Sequence, residues 1–183
     1  MRFRLLIAPL LGALVSAGAS AASYTVSEGS TLGFSATFQG ETFEGTFGKF
    51  EATIRYDPAD LAAASFDVNI DLASVVTGDA DRDASLPDPE FFDTSKFPRA
   101  RFVTTGFRQS GTDVIADGTL TLKGMSKPVS LKVRFTANGS DATLDVTTTL
   151  QRLDFDVGSG EYADTKTIAN EVKVKGHLKL KAQ

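Results

Sequence analysis

Seven stretches of this 183-residue chain place an apolar or small residue at nearly every second position, and that period constrains the fold more than any other feature. They are Leu32-Phe34-Ala36-Phe38, Phe50-Ala52-Ile54-Tyr56, Phe66-Val68-Ile70-Leu72, Ala116-Gly118-Leu120-Leu122, Val129-Leu131-Val133-Phe135, Leu144-Val146-Thr148-Leu150 and Val172-Val174-Gly176-Leu178-Leu180. Polar residues such as Asp67, Asn69 and Asp71, or Lys173, Lys175 and Lys179, fill the positions between. A β-strand turns successive side chains to opposite faces, so this alternation marks strands with one buried and one wet face. A shorter strand near Arg101–Gly106 and a starter at Tyr24–Ser27 raise the count to eight or nine.

Turn chemistry joins these strands in sequence. Asn138-Gly139 between two alternating runs is a strong hairpin signal, because both residues tolerate a left-handed backbone. Gly111, Gly124 with Pro128, and Asp57-Pro58 punctuate other connections. The long irregular stretch Thr77–Pro98 holds three prolines and Phe91, Phe92 and Phe97, and is expected to carry one or two short helical turns. A second irregular stretch, Gly158–Ala169, precedes the last strand. The expected fold class is all-β. Exposed edges must be paired away, and near-sequential hairpins favour an eight-stranded (or nearly so) antiparallel up-and-down barrel over a Greek-key sandwich.

The N-terminus reads as an export signal. Arg2 and Arg4 precede an apolar run from Leu5 to Val15, and small residues follow from Ser16 to Ala22. The apolar run is too short for an ordinary membrane span. Residues 1–22 are therefore expected to be a signal peptide cleaved near Ala22, with Ala19 as the other site, leaving 23–183 as a single domain. The chain has no cysteine, which excludes disulfides and acylation on cysteine. Removing Arg2 and Arg4 takes the formal net charge from −4 to −6, against nucleic acid or anionic headgroups as partners.

Catalytic chemistry is sparse. The one histidine, His177, is in phase with the outward lysines of the last strand, where it serves no nucleophile. One histidine without cysteine cannot make a zinc or copper site. Gly78–Glu90 mimics a calcium loop but has Ala84 at the glycine position, two prolines and Arg82 among the would-be ligands. Arg82 and Asp83 are expected instead to tie the long loop down. Gly158-Ser159-Gly160 lacks the spacing of a nucleophile elbow, and no carboxylate pair stands out. The inward positions mix Phe34, Phe38, Phe50, Phe66, Phe102 and Phe135 with Ala36, Ala52, Ala116, Gly118 and Gly176. Such a mixture either fills a tapering barrel or leaves a slot in it, and pattern leaves both open.

Several segments together resemble the YceI-like family of secreted bacterial proteins: Phe43–Phe50, Asp71–Gly78 followed by Arg82-Asp83, Leu86 and Phe91-Phe92-Asp93, then Phe97-Pro98-x-Ala100-x-Phe102, Asp117–Gly124 with Lys127-Pro128-Val129, and Arg152-x-Asp154-Phe155-x-Val157-Gly158. Two positions depart from the family pattern, Gly29-Ser30 for a His-Ser pair and Ser85-Leu86 for His-Leu. The resemblance implies a lipocalin-like, hollow barrel in the periplasm that takes a long isoprenoid or similar apolar lipid, such as a quinone-type tail, into its core. No cofactor is expected. The candidate wall is Phe34, Phe38, Phe50, Ile54, Phe66, Val68, Phe102, Leu120, Val133, Phe135 and Val146, with Arg82, Asp83, Arg152 and Asp154 as a structural polar cluster. The competing reading is a ligand-free accessory of a membrane cytochrome, docking through an exposed Phe91/Phe92/Phe97 patch. An enzyme is the third, and lacks a polar constellation to carry it. A homodimer is left open.

Overall fold

The structure, a computed structural model, describes residues 21–183; the expected signal segment lies outside the described residues except at Ala21 and Ala22. Eleven strand segments form one sheet: β1 (Ala22–Val26), β2 (Thr31–Phe38), β3 (Glu41–Phe47), β4 (Phe50–Tyr56), β5 (Ser65–Asp71), β6 (Val75–Val76), β7 (Arg99–Ser110), β8 (Asp113–Leu122), β9 (Met125–Asn138), β10 (Asp141–Gln151) and β11 (Glu171–Ala182). The one α-helix among the described residues, α1 (Ala80–Ser85), sits in the long loop expected to hold helical turns.

The eleven segments make eight staves. β1 and β2 are one strand interrupted at Ser27–Ser30: β11 pairs β2 through Lys173–His177 and β1 through Leu180–Ala182. β3 and β4 are likewise one interrupted strand, pairing β2 and β1 in turn. β5 and β6 are separated by a 3₁₀ turn, Leu72–Ser74, whose start the Asp71 carboxylate caps by accepting from the Ala73 amide at 3.1 Å. Every pairing is antiparallel, and each stave neighbours the next in sequence. The β1–β11 ladder closes the ring, so the up-and-down barrel has no long free edge.

The meander sends alternate connections to opposite ends. One end carries the tight turns at 111–112 and 139–140 and the short loop 57–64; Gly139, at φ 64°, makes the Asn-Gly turn that the sequence announces. The other end carries the two long loops, 77–98 and 152–170, and is the lid end. Hydrogen bonds sew the two loops together and onto the barrel. The Gly158 and Ser159 amides donate to the Glu90 carbonyl at 2.7 and 3.1 Å, and the Ala169 amide donates to the Thr37 carbonyl at 3.0 Å.

The core is split by level. Near the tight-turn end, Ile54, Tyr56, Phe66, Ala116, Val133, Leu144, Leu178 and Leu180 are almost fully buried. Tyr56 is the centre of a ring network there, with centroids 4.8 Å from Phe135, 5.9 Å from Phe66 and 5.9 Å from Phe107. Such offset and edge contacts fill the barrel across its width. This half is solid.

Candidate functional site

The lid-end half is different. Leu32, Phe34 and Ala36 from β2, Val68 and Ile70 from β5, Phe102 from β7, Leu120 from β8, Val129 and Leu131 from β9, Val146 and Leu150 from β10, and Val172 and Val174 from β11 surround a cavity of about 220 Å³. Leu86, Phe91 and Phe92 from the first loop and Phe155, Val157 and Ile168 from the second roof it. Thr148 and Arg152 are the polar lining residues among the described residues; no carboxylate or histidine reaches it.

Two glycines explain why large rings leave the space open. A Cβ on Gly118 would lie 2.5 Å from Phe102 Cζ, and one on Gly45 would collide with the Phe34 ring. The far edge of each phenyl therefore reaches over the glycine of its neighbouring strand, taking room along the wall that a side chain would fill. Gly118, which the pattern offered as a void-former, makes its space by letting a ring fold aside. Ala36 and Ala100 add width directly, since both line the cavity with a single methyl. Ala116 does not, being fully buried in the solid half.

Of the eleven expected wall residues, Phe34, Val68, Phe102, Leu120 and Val146 line the cavity. Ile54, Phe66, Val133 and Phe135 point inward as expected but belong to the solid half, below the cavity floor, while Phe50, paired with the lining residue Ile70, packs against that half without lining the cavity. Phe38 shares their phase yet is 39% exposed at the tip of β2, where the strand has run past the barrel. The wall residues that were missed, such as Leu32, Val129, Leu131, Val172 and Val174, carry the same alternation; what the pattern withholds is level along the axis.

The aromatic loop is corrected by the structure. Phe92 is 8% exposed and roofs the cavity with Phe91, whose ring is tilted against Tyr162 with centroids 4.9 Å apart. Phe97 is half-buried against the turn at Gly124. Phe91 and Phe92 are turned into the barrel mouth, because their apolar area is better buried there than hydrated.

The expected polar cluster also separates. Asp83 accepts from the Thr77 amide at 2.7 Å and the Thr77 hydroxyl at 2.6 Å, and the hydroxyl bond most of all holds its carboxyl below the usual carboxylate range. Arg82 stacks 3.8 Å over the Phe43 ring at the cavity rim, with Asp79 3.9 Å away. Asp79 instead caps α1, accepting from the Arg82 amide at 2.9 Å. Arg152 lies in the other loop, and Asp154 is exposed and is not its partner.

Arg152 is 5% exposed and has carbonyls, not a carboxylate, around it. Its Nε donates to Ala169 at 3.1 Å, Nη1 to Val157 at 2.9 Å and Gly158 at 2.5 Å, and Nη2 to Tyr162 at 2.8 Å and Ile168 at 2.9 Å. Burial pulls its pKa down, but a guanidinium keeps its proton at any ordinary pH. All five donors are spent on the loop's own backbone. Arg152 is thus the knot that shapes the roof, with no donor left for a ligand. His177 faces outward, its Nδ1 2.6 Å from Asp145 on the neighbouring strand and remote from the cavity.

A closed eight-stave antiparallel barrel around an internal apolar chamber, roofed by two knotted loops, defines the structural class. The chain belongs to the YceI-like family, whose domain matches residues 24–180. A UPF0312 protein of Pseudomonas putida is 34% identical over 177 residues, covering 90% of this chain and 91% of the relative. The crystal structure of BcnA from Burkholderia cenocepacia superposes with a TM-score of 0.79 at 33% identity, covering 82% of this chain and 95% of that one. A polyisoprenoid binding domain from Saccharophagus degradans has the same fold, with a TM-score of 0.67 at 18% identity over 89% of this chain and 99% of that domain.

Proposed function

We propose that this chain is an exported binding protein that holds the apolar tail of an isoprenoid or quinone-type lipid inside its barrel. The cavity carries this reading. An apolar void of about 220 Å³ costs a folded protein about 5 kcal/mol at ~24 cal/mol per Å³, a large part of the stability of a small domain. An occupant would recover that cost. The lining suits a hydrocarbon chain, which needs wall area and shape and no polar partners. Each methylene it buries contributes about 0.8 kcal/mol before the ordering costs of binding. The polyisoprenoid binding of the Saccharophagus domain supports the choice of lipid, and the Arg2/Arg4 apolar leader supports export to the periplasm. With its donors committed to the roof, Arg152 offers no acid or base, so the reading is of binding and carriage, not catalysis.

Native mass spectrometry of protein purified from periplasmic extract tests this directly. The expected spectrum shows the processed chain carrying one apolar lipid that organic solvent releases. An empty cavity in protein never exposed to detergent, or a chain retained unprocessed in the cytoplasm, would overturn it.

A further inference from the structure

The roof is hydrogen-bonded to its surroundings along four borders and left unbonded along a fifth. Loop 77–98 is tied to loop 152–170 through the Glu90 carbonyl, which accepts from the Gly158 and Ser159 amides. Loop 152–170 is tied to the β8–β9 hairpin, where buried Lys123 donates to the Asp156 carbonyl at 2.6 Å and to its carboxylate at 3.1 Å. It is tied to β2 as well, by the Ala169 amide on the Thr37 carbonyl and the Gln39 amide on the Thr167 carbonyl at 2.7 Å. The foot of loop 77–98 is held where the Leu72 amide donates to the Pro98 carbonyl at 3.0 Å. The border between β3 and α1 is different. β6 pairs β3 only at Thr46 and Phe47, and Gly78, at φ 77°, then turns the chain away into α1. Among the described residues, no hydrogen bond joins Glu41–Gly45 to loop 77–98.

We propose that this seam between β3 and α1 is the portal through which an apolar ligand enters and leaves the chamber, and that Phe43 is its door, held shut by Arg82. The proposal rests on the reading of the chamber as a lipid-tail site and adds the route into it. A border that opens often must do so without exposing unpaired backbone groups, which are costly to leave unsatisfied, and only this one can. Phe43 lines the chamber from the inner face of β3, half-buried and edge-on to Phe34 with centroids 6.3 Å apart. The residues two before and two after it are Glu41, which is exposed, and Gly45, which has no side chain. Phe43 alone therefore covers the seam from β3. The Arg82 guanidinium lies 3.8 Å from the centre of its ring and does not itself line the chamber, and its nearest carboxylate is Asp79 at 3.9 Å. One helical turn on, Leu86 roofs the chamber, so α1 sets the latch and the roof on one face. A cation over a ring is a weak contact where water reaches it, and it can break and re-form while every backbone bond of the roof stays in place.

Stopped-flow fluorescence with an apolar naphthylamine dye reads the door, because a gate changes the rates of binding and release together and leaves their ratio alone. Arg82→Ala is expected to raise both rates about fivefold, the worth of a partly exposed cation–π contact, with affinity held within about twofold. Arg82→Lys keeps a cation over the ring and is expected to exchange dye within about twofold of the unaltered rates. The absence of cysteine allows a second, independent arm. Thr37 and Ala169 flank the antiparallel bridge between Phe38 and Ile168, and residues so paired have Cα atoms about 5.5 Å apart, within reach of a disulfide. Thr37→Cys with Ala169→Cys therefore locks the β2 border and leaves the seam free. Its oxidised and reduced forms are expected to exchange dye at rates within about twofold of each other, since the locked border is not the one that opens. Exchange slowed tenfold or more by oxidation would put the portal at the β2 border and overturn the proposal. Unchanged rates in Arg82→Ala overturn it too, as does weaker binding at an unchanged association rate, which is how a mere prop of the roof behaves. Failure of the unaltered protein to bind any apolar dye overturns the lipid reading itself, and the portal with it.

Discussion

The two halves of this barrel share staves, register and period, yet one is packed solid and the other is hollow. The same strand contributes to both: β5 gives Phe66 to the packed half and Val68 to the wall of the chamber, two residues apart. The packed half sends aromatic rings across the axis, where Tyr56, Phe66, Phe107 and Phe135 meet. The hollow half runs its ring edges along the wall, Phe34 over Gly45 and Phe102 over Gly118. Ring count does not make the difference. What lies beneath each ring does.

The sharpest test of that contrast is truncation on either side of the floor. Phe66→Ala is expected to cost about 3–5 kcal/mol, the usual range for a phenyl lost from a packed core. Val68→Ala, which removes methyls already facing empty space on one side, is expected to cost about 1 kcal/mol or less, since those atoms lack part of their packing contacts. Urea midpoints of the two variants read the difference. Equal losses would mean that the hollow half is as well packed as the solid one.

Next in size is the roof. Arg152→Met keeps the length of the stem but removes five donors, leaving the carbonyls of Val157, Gly158, Tyr162, Ile168 and Ala169 to find water or go unpaired. A loss of about 3 kcal/mol is expected, toward the upper end for buried acceptors left unsatisfied. Faster hydrogen exchange across 152–170 should accompany it, while the amides of β5 and β7 near Phe66 stay protected. Uniform loss of protection would show that roof and packed half unfold as one unit.

Gly118→Val attacks the hollow half from its wall. The added Cβ would meet Phe102 Cζ at 2.5 Å and the Val103 carbonyl oxygen at 2.6 Å, so the phenyl must leave the wall. About 2 kcal/mol of destabilisation is expected from overpacking. The displaced ring then occupies the chamber, so binding of an apolar fluorescent naphthylamine dye should fall by more than the stability loss accounts for. Unchanged dye binding would mean that Phe102 does not border the occupied space.

These contrasts also define what the sequence carried. Alternation identified most staves and their inward faces, because period two is a local property of each strand, and the near-sequential hairpins gave the up-and-down order. β3 (Glu41–Phe47), which lacks that alternation, and β6 (Val75–Val76) were missed, and β7 was read too short. The Asn138-Gly139 turn, the α1 loop and the outward phase of His177 were legible for the same reason. The level at which Phe34 and Phe66 come to lie along the barrel was not. Both are inward phenylalanines in alternating runs, and only the stagger between neighbouring staves sends one to the chamber and the other to the core. Arg152 was visible as part of a motif, but its carbonyl partners come from a loop of irregular backbone whose path no periodicity reports. Phe91 and Phe92 looked like an exposed patch since the loop that carries them is polar, and its fold back over the mouth is a tertiary event.

A smaller effect separates the roof from the barrel by pH. The Asp83 carboxyl is held below its ordinary 3.8 by the bonds from Thr77. A depressed carboxylate contributes stability that is complete above the unfolded value and disappears as pH falls through the lower folded value. Retention of a bound dye should therefore be flat from neutral pH down to about 4 and weaken below it. Asp83→Asn, which keeps an oxygen for both Thr77 bonds but loses the charge that strengthens them, should weaken retention at neutral pH and flatten the acid limb. A wild-type limb that persists unchanged in Asp83→Asn would place the titrating group elsewhere.

The smallest expected effect is at His177, and it is informative because it is small. Its Nδ1 is 2.6 Å from Asp145 Oδ1, but both side chains are about half exposed on the outer face of β10 and β11. An exposed pair of this kind contributes about 0–1 kcal/mol, since water and salt screen it and two side chains must be ordered to make it. The inward partners at the same level, Leu144 and Leu178, are held by burial in the packed half, which the outer pair does not touch. His177→Ala is therefore expected to shift the urea midpoint by less than about 0.5 kcal/mol and to leave the binding of an apolar dye unchanged. A loss of tenfold or more in binding would mean that the outer face communicates with the chamber through β11, and that Gly176, whose added Cβ would press on Val146 of the chamber wall at 2.8 Å, is the point of contact.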